Sequence, residues 1–152
     1  GLIIVNNCGK VLICKRRGIN QWQFPQGGIN ESEIPLKAAK REIFEEVGIR
    51  SSNIKNLGKI KDWIKYEIPK DLARKSFKKK GIIGQKQKWF MFKIKSSAPI
   101  TFENDPDAEF DDFAWVSYWH PISKIVSFKK RVYRDVLTEL LPVYVREFSD
   151  VN

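Results

Sequence analysis

Residues 35–47, PLKAAKREIFEEV, constrain the fold more than any other stretch. Pro35 suits the first turn of a helix, where a missing N–H costs nothing, and Gly48 suits the left-handed residue that stops one. Ile34 falls at the N-cap and brings no side-chain acceptor there. On a helical wheel Leu36, Ala39, Ile43 and Val47 form one apolar stripe that must face a core. Glu42, Glu45 and Glu46 stand at i, i+3 and i+4 beside that stripe, so three carboxylates gather at its edge. Like charges at this spacing repel by about 0.2–0.5 kcal/mol per pair, and a helix C-terminus disfavours anions. Both penalties vanish when a cation sits among the three groups, and clustered hard oxygens suit Mg²⁺ or Mn²⁺. A solvated acidic patch would explain a Glu-Glu pair alone.

The remaining chain reads as strands mixed with helices. LIIVNNCGKVLICKR predicts two strands around an Asn-Asn-Cys-Gly turn, and WQFPQGG a short strand ending in a Pro/Gly loop. Residues 57–69 predict one long β segment, 70–81 a basic loop, 87–95 a strong strand and 113–119 another. Residues 128–148 have helical period through Val132, Val136 and Leu140, with Pro142 expected to kink or end the helix. There are no repeats, no linker and no regular βαβ alternation. This pattern argues for an α/β class with one mixed sheet and helices on both faces.

With 152 residues the chain is long enough for one domain with a real core. No apolar run approaches the length of a membrane span. The two cysteines, Cys8 and Cys14, lie in strand-like surroundings and read as buried reduced thiols, which points to the cytoplasm. The string starts without Met and inside a strand pattern, as a piece of a longer chain does. The net charge of +10 suits a polyanionic partner. Because 20 of the 28 basic residues are Lys and Ile is abundant too, at 18, compositional drift explains the charge as well. The one histidine, His120, precedes a proline and reads as a surface or packing residue. With no Cys/His metal spacing and no phosphate-binding glycine loop of the P-loop kind, a general base must be a carboxylate.

The wider spacing removes the ambiguity of the acidic face. Gly27, Glu33, Arg41, Glu42, Ile43, Glu45, Glu46, Gly48 and Ile49 match G-x5-E-x7-R-E-U-x-E-E-x-G-U, where U is aliphatic. From average residue usage a chance match has odds of roughly one in tens of millions. The stretch resembles the Nudix box, complete. The resemblance implies the Nudix α/β/α sandwich with a mixed central sheet and hydrolysis of a nucleoside diphosphate linked to another group. It also implies that Arg41 and Glu33 brace the loop, that Gly27, Gly28 and Gly48 are structural parts of the motif, and that Glu42, Glu45 and Glu46 hold Mg²⁺ or Mn²⁺ and take part in catalysis. A Nudix domain that only binds would show degenerate glutamates, and none is missing here.

Four strings outside the box, WQFPQGGIN, IGQKQKWF, EFDDFAWVSYW and VSFKKRVY, resemble the bacterial branch of RNA 5′-pyrophosphohydrolases. These convert 5′-triphosphate or diphosphate RNA ends to monophosphate and so start mRNA decay. The diadenosine polyphosphate hydrolases share part of the pattern and are the alternative, ahead of a housecleaning nucleotidase. The resemblance implies that Glu109 is a fourth acidic ligand. It further implies that Arg16, Tyr66, Gln85 and Lys129 contact phosphates or the first nucleotides, and that Phe128, with Val126 and Ser127, receives a stacked RNA base. The physics agrees, since single-stranded RNA is held by aromatic stacking beside cations. RKSFKKK (74–80) reads as a solvated loop that could also follow an RNA backbone. The Tyr-Arg-Pro string that relatives carry before the first strand does not occur here.

Overall fold

The structure is a computed structural model, and it describes residues 1–95 and 98–149, the side chains of 75–77 excepted. Among the described residues, eight strands and four helices follow one another as β1 (Leu2–Val5), β2 (Val11–Arg16), β3 (Trp22–Gln23), α1 (Pro35–Val47), β4 (Ile54–Lys59), β5 (Ile64–Glu67), α2 (Lys75–Lys80), β6 (Gly84–Gln87), β7 (Phe90–Ile94), β8 (Phe110–Val116), α3 (His120–Lys124) and α4 (Lys130–Ser149). Short 3-10 turns occupy Ser51–Asn53 and Ser127–Lys129.

The main sheet is mixed. β1 runs parallel to β7, and β7 pairs antiparallel with β4. β8 covers one edge of β2 from Val11↔Val116 to Arg16↔Phe110, so β1 and β3 share the other edge. The expected hairpin therefore closes with one pair, Val5↔Val11, before β1 leaves for β7. Strand alternation sorts the side chains into two cores. Ile3, Val5, Val11, Ile13 and Met91 meet α4 through Val132, Tyr133, Val136, Leu137 and Leu140. Leu2, Ile4, Leu12, Cys14 and Phe92 meet α1 through Ala39, Ile43 and Val47. The sheet thus lies between helices, an α/β/α sandwich.

Several sequence expectations change. Residues 57–69 are not one strand: β4 ends at Lys59, the chain bends at Lys61–Asp62, and β5 joins β6 in a separate two-stranded sheet. The cause is Ile60, fully buried, whose N–H bonds to the Trp89 carbonyl at 3.0 Å and fixes the branch point. The basic loop contains a helix, α2, and the strand expected over 87–95 divides between β6 and β7. Pro142 does not end α4. It lies on the exposed face together with Thr138, whose carbonyl it leaves without an N–H and which water can reach. Cys8 is exposed, not buried, because it sits in the tight turn held by the Asn6 side chain; Cys14 is buried, and both are free.

Candidate active site

α1 forms as its sequence requires. Pro35 opens it, Ile34 gives no side-chain cap, and Gly48 closes it at φ 78° with its N–H on the Phe44 carbonyl. A side chain at Gly48 would strike Thr101, whose own N–H bonds to the Val47 carbonyl at 3.0 Å. That contact ties the end of α1 to the 101–109 loop, which carries Glu109.

Arg41 organises the acidic face. Its Nε and Nη2 grip both oxygens of Glu33 at 2.9 and 3.0 Å. Nη1 donates to Glu42 at 2.9 Å and to Glu45 at 3.1 Å, and Nη2 also donates to the Gly28 carbonyl at 2.7 Å. Those hydrogen bonds hold the Glu33 carboxyl down at about 2, helped by the Asn30 N–H, and they raise the Arg41 guanidinium. Gly27 lies so close to the Glu42 carboxylate that a Cβ there would overlap it at 1.9 Å. A side chain at Gly27 would push the Glu42 carboxylate out of its present place.

Glu46 is the anomaly. It is 3% exposed, and its Oε2 has no hydrogen-bond partner among the described residues. Burial, then the charges of Glu109, Glu42 and Asp105, push its pKa up to about 10. Burial likewise raises Glu42, against the pull of Arg41. A lone buried carboxylate oxygen costs free energy that a bound cation would offset. As placed, no three His, Cys, Asp or Glu side chains among the described residues enclose an ion. Glu42 and Glu45 are turned onto Arg41, and Glu109 accepts from Arg74 at 3.3 Å. The donor set nonetheless fits a hard divalent ion: all oxygen, with one buried oxygen that has no other use.

A cavity of about 640 Å³ opens beside this face. Of the residues singled out in the sequence, Gly27, Gly28, Glu42, Glu109, Arg16, Tyr66, Gln85, Val126, Phe128 and Lys129 line it. Glu33, Arg41, Glu45, Glu46, Gly48 and Ser127 do not. His120 is exposed and away from it.

Long-range pairings bring the remaining walls together. Arg16 ends β2 where β8 carries an extra residue, Asp111; the ion pair of Asp111 with Lys15, at 2.6 Å, takes up that bulge. Glu109 just before it is pinned by its backbone, its carbonyl accepting from the Arg17 N–H and its own N–H bonding to Asp105. Tyr66 faces Gln85 across β5–β6 and donates its hydroxyl hydrogen bond to the Gln85 amide oxygen. The Tyr66 ring leans on Phe128 at 6.2 Å, and the Lys129 ammonium stands over both rings at 5.7 and 5.9 Å. Burial, then Arg74 and Arg16, lower the Lys129 pKa to about 8, and burial with Arg74 lowers Arg16.

Several wall residues are not singled out in the sequence. Arg74 counts there only as part of a basic string. Gln87 donates to Gln26 at 3.0 Å and so holds the two-stranded β5–β6 arm to the loop before α1, and Trp63 stands at the arm's start. Their signal was the β5–β6 pairing, which the polar GQKQ string conceals.

A model of the NUDIX domain matches residues 1–136. An RNA pyrophosphohydrolase of Shewanella sediminis is 46% identical over 143 residues, covering 93% of this chain and 83% of that protein. One from Proteus mirabilis is 45% identical over 144 residues, covering 94% and 81%. Among solved structures, the E. coli dihydroneopterin triphosphate pyrophosphohydrolase superposes with a TM-score of 0.67 at 21% identity, covering 90% of this chain and 94% of that one. A C. elegans Ap4A hydrolase does so with 0.65 at 14%, covering 97% and 98%. These last two speak for the fold alone. With a whole-box match in sequence, the sandwich around it and relatives at this identity over most of its length, the chain belongs to the Nudix hydrolase family.

Proposed function

We propose that the chain is an RNA 5′-pyrophosphohydrolase, which converts 5′-triphosphate or diphosphate RNA ends to monophosphate and so initiates mRNA decay. The observation that carries the reading is that Phe128, Lys129, Arg16, Tyr66 and Gln85 line the same cavity as Glu42 and Glu109. A phosphate cradle and a stacking ring therefore share one space with the acidic face, in a chain about 45% identical to proteins named for this activity.

Glu42, Glu45 and Glu46 from α1 and Glu109 from its loop would hold the divalent ion, Mg²⁺ with Mn²⁺ as substitute. Bound there, the ion neutralises phosphate oxygens and lowers the pKa of the attacking water. Arg16 and Lys129 balance the charge of the phosphate chain, and the Tyr66–Gln85 pair offers it neutral hydrogen bonds. A box carboxylate accepts the water proton, since no histidine lines the cavity. Phe128 stacks a base, and Val126 lines the wall next to it while Ser127 stays in the turn that presents the ring. No helix among the described residues is long and apolar enough to cross a membrane, and two free thiols suit the cytoplasm, where the substrate is made.

Product analysis tests this. With 5′-labelled triphosphate and diphosphate RNA beside diadenosine tetraphosphate, we expect monophosphorylated RNA as the product and a higher kcat/KM on RNA. Preference for the dinucleotide would move the assignment to a diadenosine polyphosphate hydrolase.

A further inference from the structure

Trp63 has no place in the fold's economy of burial. It is 39% exposed and belongs to neither hydrophobic cluster. It immediately precedes β5, one position beyond the Ile64↔Gln87 pair. Two lysines cover its ring, Lys86 of the facing strand at 4.7 Å and Lys88 just past that strand's end at 5.8 Å from the centroid. All three line the cavity that holds Glu42, Glu109 and Phe128. Exposed cation–π contacts are worth about 0.5–1 kcal/mol each, less than burying an indole would yield. Structure alone therefore gives no reason to leave this ring open.

We propose that Trp63, between Lys86 and Lys88, is a second stacking platform, for a nucleobase of the RNA other than the one on Phe128; this rests on the RNA reading of the site. Strand alternation puts Trp63 on the opposite face of the arm from Tyr66 and Phe128. Three residues of extended chain set Trp63 and Tyr66 about 10 Å apart along the strand. Two π-faces separated in this way around the rim of one cavity match two bases of a single strand that passes over the edge of the arm, and lysines beside the ring match the phosphates between them. When a base takes the ring face, the Lys86 ammonium passes from the indole to those phosphates, while Lys88 stays held by the Lys61 carbonyl at 2.8 Å and adds its charge from there. The cavity thus takes more than the phosphorylated end: it has places for two bases.

The test uses 5′-triphosphorylated oligonucleotides of one to five residues, each also made with a single abasic position, on wild type, Trp63→Ala, Trp63→Leu and Phe128→Ala. Leu keeps apolar bulk but has no π-face, so it controls for a folding defect, which the melting temperatures also report. Both Trp63 variants should lose about 5- to 100-fold in kcat/KM on the longer oligonucleotides. They should keep the wild-type value on the nucleoside triphosphate. The abasic penalty at one position should disappear in the Trp63 variants, and at a different position in Phe128→Ala. Unchanged abasic penalties, or equal losses on RNA and free nucleotide, would overturn the platform. So would a larger loss on diadenosine tetraphosphate, which would give Trp63 to the second base of a dinucleotide. Anisotropy of the same labelled oligonucleotides reads binding in parallel. If no RNA is hydrolysed, the hydrolase reading fails, and anisotropy still decides the platform.

Discussion

The two walls of the cavity are built in opposite ways. One is α1 with the loop before it. Ala38, Ala39, Ile43, Glu46 and Val47 are buried there, and one arginine joins Glu33, Glu42, Glu45 and a loop carbonyl. The other is the β5–β6 arm with the Phe128–Lys129 turn. No residue of β5 or β6 is fully buried, and the arm is fixed to the body at Ile60 and Trp89, both 0% exposed. The first wall keeps carboxylates where water alone would not leave them. The second offers rings and cations on a support with few apolar contacts, which adjusts at low cost. On the function proposed above, chemistry would sit on the stiff wall and recognition on the compliant one. Changes in the first should lower the rate on every substrate, and changes in the second should redistribute substrates.

The largest effect should come from Glu46→Gln, which keeps shape but cannot ionise to bind a cation. We expect a rate loss of at least ~100-fold on RNA and on small nucleotides alike. Mg²⁺ or Mn²⁺ should raise the melting temperature of the wild type and do so much less for the variant. Turnover near normal, or full activity in excess chelator, would dissolve the distinction between the walls by removing the metal from the first.

Arg41→Lys comes next. Lysine keeps the charge but cannot fork onto Glu33 while reaching Glu42, Glu45 and the Gly28 carbonyl. A loss of about 10- to 100-fold in kcat, of the kind seen when groups orienting metal ligands are removed, is expected with KM little changed. A change confined to RNA substrates would mean that the first wall also recognises.

The same contrast governs what was legible in the sequence. α1 was readable in full because its signals are local: proline, glycine, the apolar stripe and the spacing of glutamates lie within 23 residues. Its partners were not. Glu46 at the stripe's edge gave no sign of being as buried as Ile43, since that depends on the sheet and on the 101–109 loop closing over it. On the second wall the period-2 pattern continues through Ile60 into β5, so one strand was expected where a buried isoleucine ends one sheet and starts another. β6 consists of Gly-Gln-Lys-Gln, which has no apolar alternation, and only its ladder with β5 makes it a strand. Arg74 and Trp63 matter by position in space, and nothing near them in the chain marks it.

Phe128→Ala should act on the second wall only. We expect a loss of about 1–3 kcal/mol in kcat/KM on triphosphorylated RNA, from lost stacking, with hydrolysis of nucleoside triphosphates and diadenosine tetraphosphate spared. Equal losses on all three would mean that the ring supports Tyr66, against which it packs at 6.2 Å, and does not receive a base.

The smallest effect concerns Lys129, where binding and stability pull apart. Burial, with Arg74 and Arg16 nearby, lowers its pKa from 10.5 to about 8 in the folded chain. Below pH 8 the folded and unfolded states are both protonated there, and the cost of a half-buried cation is fully present. Between about 8 and 10.5 the folded state has released the proton while the unfolded state retains it, so stability rises with pH across that window. Lys129→Gln should therefore melt about 2–4 °C higher than wild type at pH 7, with the gap closing above pH 8. Phosphate binding runs the other way, because it needs the charge. In the wild type kcat/KM on RNA should fall as pH rises through the region just above 8, and Lys129→Arg, which cannot lose its proton, should flatten that limb. The measurement is paired: melting curves and RNA kinetics from pH 6.5 to about 10 on the three proteins. A glutamine variant less stable than wild type at pH 7 would show that the ring contacts of Lys129 outweigh its desolvation. An alkaline limb unchanged by arginine would assign that limb to another group and leave Lys129 out of phosphate binding.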